Sequence, residues 1–226
     1  MTMEFPADQP MRVQATQEVV DYVVASGIAP LPAHHELVAR TEKETGDKAG
    51  MRIAPEQGAL ITLLARTVGA RRAVEVGTFT GYSSLSIARA LPADGHLLCC
   101  DTSEEWTRIA RDGWESAGLA GLIELRLGPA LETLRALPVE EDIDFSFVDA
   151  DKTGYAAYFE ELVVRTRPGG LIVFDNVLYG GRVLGDEPVT GNAAALREFN
   201  PALAADPRVD VVMLPLADGL TIARKR

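Results

Sequence analysis

The sequence predicts a doubly wound α/β domain with a mostly parallel sheet that closes on an antiparallel hairpin. Three observations lead there. Five short apolar runs, VEVGTF, HLLCCD, LIELRLG, IDFSFVDA and GLIVFDN, each run into Gly, Asp or Asn, as strands buried on both faces of a parallel sheet do. Helix-like segments separate them, and strand alternating with helix is the pattern of a doubly wound sheet. The closing stretch VDVVMLPLADGLTIARK reads as two strands across Ala217-Asp218-Gly219, because Asp-Gly is a strong hairpin signal.

Taken in order, the residues before about Arg71 read as three helices, QEVVDYVVASG, HHELVARTEKETG and PEQGALITLLARTVG. SSLSIARAL follows the first strand. SEEWTRIARDGWESAG follows the second and opens on Ser103, an N-cap whose third position holds Trp106, so the full capping box is missing. YAAYFEELVVRT follows the fourth strand. After the fifth come a polar, glycine-rich loop, YGGRVLGDEPVTGN, and a helix from about Ala193 to Ala205. With 226 residues, 47% of them hydrophobic, the chain can bury one large core. The expectation is a single domain over 1–226, in which about 1–70 cover a ligand site and about 71–226 form the core.

Composition excludes several partners. Asp and Glu number 33 against 22 Lys and Arg, and a net charge of −11 opposes binding to nucleic-acid phosphates or an anionic membrane. Arg224, Lys225 and Arg226 read as a solvated tail. Cys99 and Cys100 are adjacent and cannot build a disulfide framework; they read as small apolar residues of a buried strand. The opening MTMEFPADQP lacks the basic and apolar regions of a signal peptide, and no run of 18 apolar residues occurs. A cytoplasmic protein is expected.

In such a sheet the ligand lies beyond the carboxyl ends of the strands. The residues there are Glu75 and Gly77, Asp101, Gly128, Asp149 and Asp151, then Asp175 and Asn176. EVGTFTG, Glu75 to Gly81, looks like a dinucleotide fingerprint, with Asp101 near the ~20 residues at which a ribose-binding acid is expected. The glycine spacing is wrong for a pyrophosphate, and Glu75 at the mouth would repel one. A carboxylate there suits an ammonium and a sulfonium, which points to S-adenosylmethionine (SAM), while Asp101 can accept from both ribose hydroxyls.

Asp149, Asp175 and Asn176 offer three oxygen ligands from the ends of two strands. Hard oxygens with no His or Cys among them suit Mg²⁺ foremost, with Mn²⁺ or Ca²⁺ as substitutes, and argue against zinc. His34, His35 and His96 read as surface or packing residues. Within FVDADKTGY, Lys152 stands beside this set. A phenol of pKa ~10 is a poor nucleophile at neutral pH, but a divalent ion stabilises its phenolate and a neighbouring lysine can take the proton. A catechol chelates one ion through both hydroxyls, so vicinal dihydroxy aromatics are the expected acceptors. The bland alternative is a Lys152 that only pairs with Asp149 or Asp151 on the surface.

At this point the chain resembles the cation-dependent class I O-methyltransferases, which include catechol O-methyltransferase and caffeoyl-CoA O-methyltransferase-like enzymes. The resemblance runs from about Met51 to the C-terminus through MRIAPEQG, VEVGTFTGYSSL, GPALETL, FVDADK, GGLIVFDNVLYGG and LAADPRVDVVMLPLADGLTIARK. It implies a seven-stranded, Rossmann-like SAM-binding sheet with an antiparallel last strand. It implies a cation at Asp149, Asp175 and Asn176, with Lys152 and Asp149 catalytic. For SAM it implies backbone contact near Ile53, contacts at Glu75, Gly77, Thr78 and Ser83, ribose contact at Asp101, adenine contact near Ala130, and contacts from Asp149 and Asp151. A homodimer is also expected.

This chain departs from the plant enzymes in two places: Ile53 replaces a threonine, and Gly180 replaces a substrate-binding asparagine. The first twelve residues offer only Arg12 as a cation, little for the phosphates of coenzyme A, so a small free catechol is favoured over an acyl-CoA thioester. Two other classes compete: a nicotinamide-dependent oxidoreductase, which would want a third glycine after Gly81, and a non-catalytic SAM-binding protein, which would not need Lys152 together with all three ligands.

Overall fold

The computed structural model of the chain describes residues 13–185 and 187–226; Arg12, and Asp186 of the glycine-rich loop, lie outside them. Seven strands form one sheet: β1 (Arg72–Val76), β2 (His96–Asp101), β3 (Ile123–Leu127), β4 (Ile143–Val148), β5 (Thr166–Asp175), β6 (Val209–Leu214) and β7 (Leu220–Lys225). Their order is β3-β2-β1-β4-β5-β7-β6. β1 to β5 pair in parallel, and β7 runs antiparallel to both β5 and β6. The order reverses between β1 and β4, which opens a crevice at their carboxyl ends.

Two apolar layers cover the sheet. Cys99, Phe145, Phe147 and Val173 face a layer built by α2 (Pro32–Thr45), α3 (Pro55–Thr67), α4 (Tyr82–Ala88) and α5 (Glu104–Ser116). Val74, Val76, Cys100, Val148 and Phe174 face α6 (Ala130–Ala136), α7 (Tyr155–Val163) and α8 (Gly191–Ala204). Burial on both faces explains why the central strands are apolar throughout rather than alternating. The first helix, α1 (Gln17–Ala25), has no buried residue of its own.

Ser103 caps α5 as expected, accepting from the Trp106 amide at 3.2 Å. Cys99 and Cys100 are free and buried. No described helix is long and apolar enough to cross a membrane. Two elements differ from expectation. α6 was not anticipated within GPALETL: seven residues are too few for a periodic signal, and its N-cap, Pro129, makes no side-chain cap. β5 begins at Thr166, which was assigned to a helix, because Thr166 pairs with Ile143 across a register shift that lets the strand absorb Pro168 and Gly169.

His34 is a packing residue. It is buried in α2, where Nδ1 accepts from the Leu31 amide at 3.1 Å and Nε2 lies 3.2 Å from Ser86 Oγ, so the proton belongs on Nε2. Burial lowers its pKa to about 4, with Arg89 and His35 adding repulsion. The unfolded chain, with an ordinary value near 6.5, binds more protons between those two values. Stability from His34 is therefore complete above about pH 6.5 and is lost as pH falls toward 4, on the order of 2–3 kcal/mol. Chemical denaturation at pH 7 and pH 5 should show a smaller drop for His34→Gln than for the wild type; equal drops would contradict this.

Candidate active site

A cavity of about 1490 Å³ lies at the carboxyl ends of β1, β2, β4 and β5. Its floor is the turn that follows β1. Gly77 has φ +88, and a Cβ there would sit 1.9 Å from the Asp149 carbonyl oxygen, so only glycine lets the ends of β1 and β4 approach. Phe79 takes a left-handed φ of 50, unusual for an aromatic residue. Asp101 holds it there: Oδ2 accepts from the Thr78 and Phe79 amides at 2.9 and 2.8 Å, and Oδ1 accepts from the Ser103 amide at 2.7 Å. A carboxylate has about four acceptor positions. Three of those at Asp101 already tether backbone, a structural duty that the sequence did not disclose.

Glu75 requires a correction. It was placed at the mouth, but it is a residue of β1 itself, fully buried in register with Cys99 and Phe147 on the side of α3 to α5. The strand runs one residue past it, and alternation turns its side chain away from that of Val76. Neither carboxyl oxygen makes a hydrogen bond, and neither does the buried Thr78 hydroxyl. Burial pushes the Glu75 carboxyl up to about 7, opposed by the polar Ser83, Thr78 and Cys99 side chains. Thr78 and Ser83 line the cavity, which Glu75 does not, and both side chains act on Glu75.

Lys152 is not a surface residue. It is buried, and its Nζ donates to Asp149 Oδ1 at 2.8 Å, Asn176 Oδ1 at 2.9 Å and the Tyr155 hydroxyl at 2.7 Å. Those contacts use all three N–H bonds of an ammonium. The Tyr155 hydroxyl donates to the Asp175 carbonyl at 2.8 Å, and burial raises its pKa well above the ordinary value, so it stays a neutral spacer. Asp175 Oδ1 accepts from Gln57 Nε2 at 2.8 Å and from the Asn176 amide at 2.7 Å. Burial, then the neighbouring Asp149 charge, push the Asp175 carboxyl up to about 7. Among the described residues no three His, Cys, Asp or Glu side chains gather as a metal site; the set here is two carboxylates and one amide.

The structure brings Ile53, Gly77, Thr78, Ser83, Asp101, Ala130, Asp149, Asp151, Lys152, Asp175 and Asn176 into one cavity wall and leaves Glu75 behind it. Asp151 accepts from the Tyr158 hydroxyl at 2.6 Å and from Thr153 Oγ1 at 3.1 Å. Three contributors were missed: Gln57, Tyr155 and Tyr158. Gln57 had a signal, since it stands three residues after Ala54, where its Oε1 caps the Ala54 amide at 2.8 Å while its Nε2 holds Asp175. The two tyrosines lie one helical turn apart in α7, a spacing any buried helix face shares.

A SAM-type sheet with its crevice at the β1/β4 switch point, and an acid–lysine–amide cluster at the ends of β4 and β5, define a class I methyltransferase. The sequence profile of the O-methyltransferase family matches residues 29–226, and the chain belongs to that family. Tricin synthase 1 of Oryza sativa subsp. japonica is 42% identical over 188 residues, covering 77% of this chain and 75% of that protein. Caffeoyl-CoA O-methyltransferase 2 of Petunia hybrida is 40% identical over 186 residues, covering 77% and 76%. Among solved structures, the O-methyltransferase TomG of Streptomyces achromogenes, in complex with SAM, superposes with a TM-score of 0.84 at 32% identity over 92% of this chain and 96% of that one. An O-methyltransferase from Bacillus cereus in complex with SAH gives 0.83 at 32% identity over 92% and 97%. The chain is thus a SAM-dependent O-methyltransferase of the caffeoyl-CoA O-methyltransferase type.

Glu75 makes this site sensitive to pH. Its folded pKa of about 7 lies above the ordinary 4.5 of the unfolded chain, so the native state holds the extra proton between them. Stability therefore falls as pH rises from about 4.5 to 7, on the order of 3 kcal/mol if the full shift is expressed. In ligand-free protein, Glu75→Gln should remove this slope and gain on the wild type between pH 5 and pH 8 in denaturant titrations. A wild type and variant with parallel pH profiles would contradict the burial account.

Proposed function

We propose that this enzyme methylates one hydroxyl of a small vicinal dihydroxy aromatic, with a divalent cation held by Asp149, Asp175 and Asn176. One observation carries the reading: Asp149 Oδ1 and Asn176 Oδ1 converge, at 2.8 and 2.9 Å, on the single positive atom Lys152 Nζ inside the cavity. Oxygens that converge on an ammonium also suit a hard cation. Asp175 fits the same set, since its buried carboxyl is driven up by burial and by Asp149, a strain that added positive charge relieves. A bound divalent ion supplies charge that lowers the pKa of a phenol oxygen.

The chain's own groups do the rest. Gln57 and the Asn176 amide fix Oδ1 of Asp175 and so set the plane of its carboxylate. Tyr155 holds Lys152 Nζ beside Asp149 and Asn176. With a cation on those two oxygens, Nζ would keep Tyr155 as its partner, and as a neutral amine it could take a proton from an acceptor hydroxyl. Asp101 and Gly77 shape the turn against which SAM would lie, with Ile53, Thr78, Ser83, Ala130 and Asp151 around it.

A caffeoyl-CoA acceptor is the second reading, favoured by what the plant relatives are named. The described cavity wall holds seven Asp and Glu residues but only Arg52 and Lys152 as cations, which disfavours the phosphates of coenzyme A. Gly180 in place of an asparagine points the same way.

Excess EDTA should abolish turnover of a catechol, and Mg²⁺ or Mn²⁺ should restore it; full activity in EDTA would sink the cation assignment. Lys152→Met should lower kcat by at least ~100-fold at neutral pH, the scale of a lost proton acceptor, while calorimetric SAM affinity stays near that of the wild type. A catechol should react far faster than the matching monophenol, and faster than caffeoyl-CoA at equal concentration. Equal rates on catechol and monophenol would return Lys152 to a structural role.

A further inference from the structure

Of the two cations in the described cavity wall, Lys152 has every donor engaged and Arg52 does not. Arg52 Nε is buried with no hydrogen-bond partner. Nη1 reaches only the Ile53 carbonyl, at 3.4 Å, and Nη2 lies 3.9 Å from Glu42 Oε1, a carboxylate that is 61% exposed. A guanidinium cannot shed its charge and presents five donors in a planar fork, so a partly buried one with a single long bond is poorly satisfied.

The surroundings sharpen this. Arg52 and Glu56 both act on the Tyr82 hydroxyl, Arg52 favouring its ionisation and Glu56 opposing it, beneath a larger effect of burial that raises its pKa. All three residues line the cavity, so they share one corner of it. Glu56 Oε2 is itself buried without a partner, yet it does not pair with Arg52 within 4 Å. The fork of Arg52 is left for something else.

We infer that Arg52 receives a carboxylate carried by an occupant of this cavity. A carboxylate matches the fork with two parallel hydrogen bonds, and one guanidinium suits one such group. Resting on the function proposed above, two molecules can bring it. One is SAM, through its methionine carboxylate; the other is an acceptor catechol with an acidic side chain. Position does not separate them: Ile53 is next in the chain on one side, and Gln57, which holds Asp175, follows close behind.

The test uses the full-length protein with Arg52→Gln and Arg52→Lys, each checked by thermal unfolding. Calorimetry measures the Kd for SAM, and steady-state kinetics measure kcat/KM for caffeate and for its methyl ester, which differ in that one charge. If SAM brings the carboxylate, Arg52→Gln raises its Kd at least about tenfold. If the acceptor brings it, the caffeate-to-ester ratio of kcat/KM falls at least about tenfold. In either case Arg52→Lys, which keeps the charge but not the fork, recovers part of the loss. A Kd and a ratio that both stay within about threefold of the wild type overturn the inference. Should the wild type methylate no catechol at all, the proposed acceptor class fails on its own, and an unchanged SAM Kd in Arg52→Gln then overturns this inference separately.

Discussion

The site depends on the pairing of β1 with β4 being carried one step beyond the strands. The Asp149 amide donates to the Val76 carbonyl at 2.8 Å, and the Gly77 amide donates to the Cys100 carbonyl at 2.9 Å. The first brings the chain that leaves β4 against the end of β1, so closely that no Cβ fits at Gly77, and the second ties the same turn to the end of β2. From there the rest follows by register. Asp149 is fixed over the switch point, Lys152 begins the short turn into α7, and the parallel β5 delivers Asp175 and Asn176 alongside. A crevice that any doubly wound sheet has in outline becomes a set of converging oxygens, because the strand ends cannot slide relative to one another.

Charge is arranged differently in the two halves of that crevice. At the β4/β5 end the polar groups are partnered, although the Asp149 charge still raises Asp175: Lys152 is saturated, Tyr155 is a neutral spacer, and Gln57 caps a helix with one end and holds Asp175 with the other. Under the β1 turn compensation is missing, since both oxygens of Glu75 and the Thr78 hydroxyl are buried without partners. An unpaired buried acid costs stability. Glu75 limits that cost by holding its proton near neutral pH. Polar groups left so are what a ligand with matching donors would complete, and Thr78 belongs to the cavity wall.

Much of this was legible in the sequence, for reasons that particular residues make clear. Strands buried on both faces announce themselves as apolar runs, and Asp218-Gly219 marks the hairpin, so the sheet and its antiparallel end could be read. Asp149, Lys152, Asp175 and Asn176 could be read because acids and amides at strand ends are visible one strand at a time. Glu75 was misread by one residue of strand length, which in a period of two is enough to move a side chain from mouth to core. Tyr155 and Gln57 were missed because half of each role is long-range: Gln57 shows locally only as a helix cap while its other end reaches Asp175, and Tyr155, three residues from Lys152, also bonds the distant Asp175 carbonyl. Asp101 was found, but its backbone tethering of Phe79 was not, since strain at a non-glycine left-handed residue leaves no mark on composition.

The closing hairpin fixes one side of the cavity. Three non-glycine residues with left-handed φ line the cavity beyond the end of β5: Asn176 at 53, Tyr179 at 46 and Ala217 at 47. Each conformation is costly alone and persists only where neighbours over-determine it. The hairpin turn provides that constraint. Asp218 Oδ1 accepts from the Gly180 amide at 2.6 Å, its carbonyl accepts from the Leu178 amide at 2.9 Å, and the Gly219 carbonyl accepts from the Val177 amide at 3.2 Å. Gly219 must be glycine, since a Cβ there would lie 2.5 Å from Leu178 Cγ. The antiparallel β7 thus does more than finish the sheet. By pairing with β5 it carries a rigid turn back over the strand end that bears Asp175 and Asn176, and it clamps Tyr179 as a wall of the cavity. The oxygens of Asp149, Asp175 and Asn176 are thus set by the parallel half of the sheet, and the Tyr179 side of the cavity by its antiparallel end.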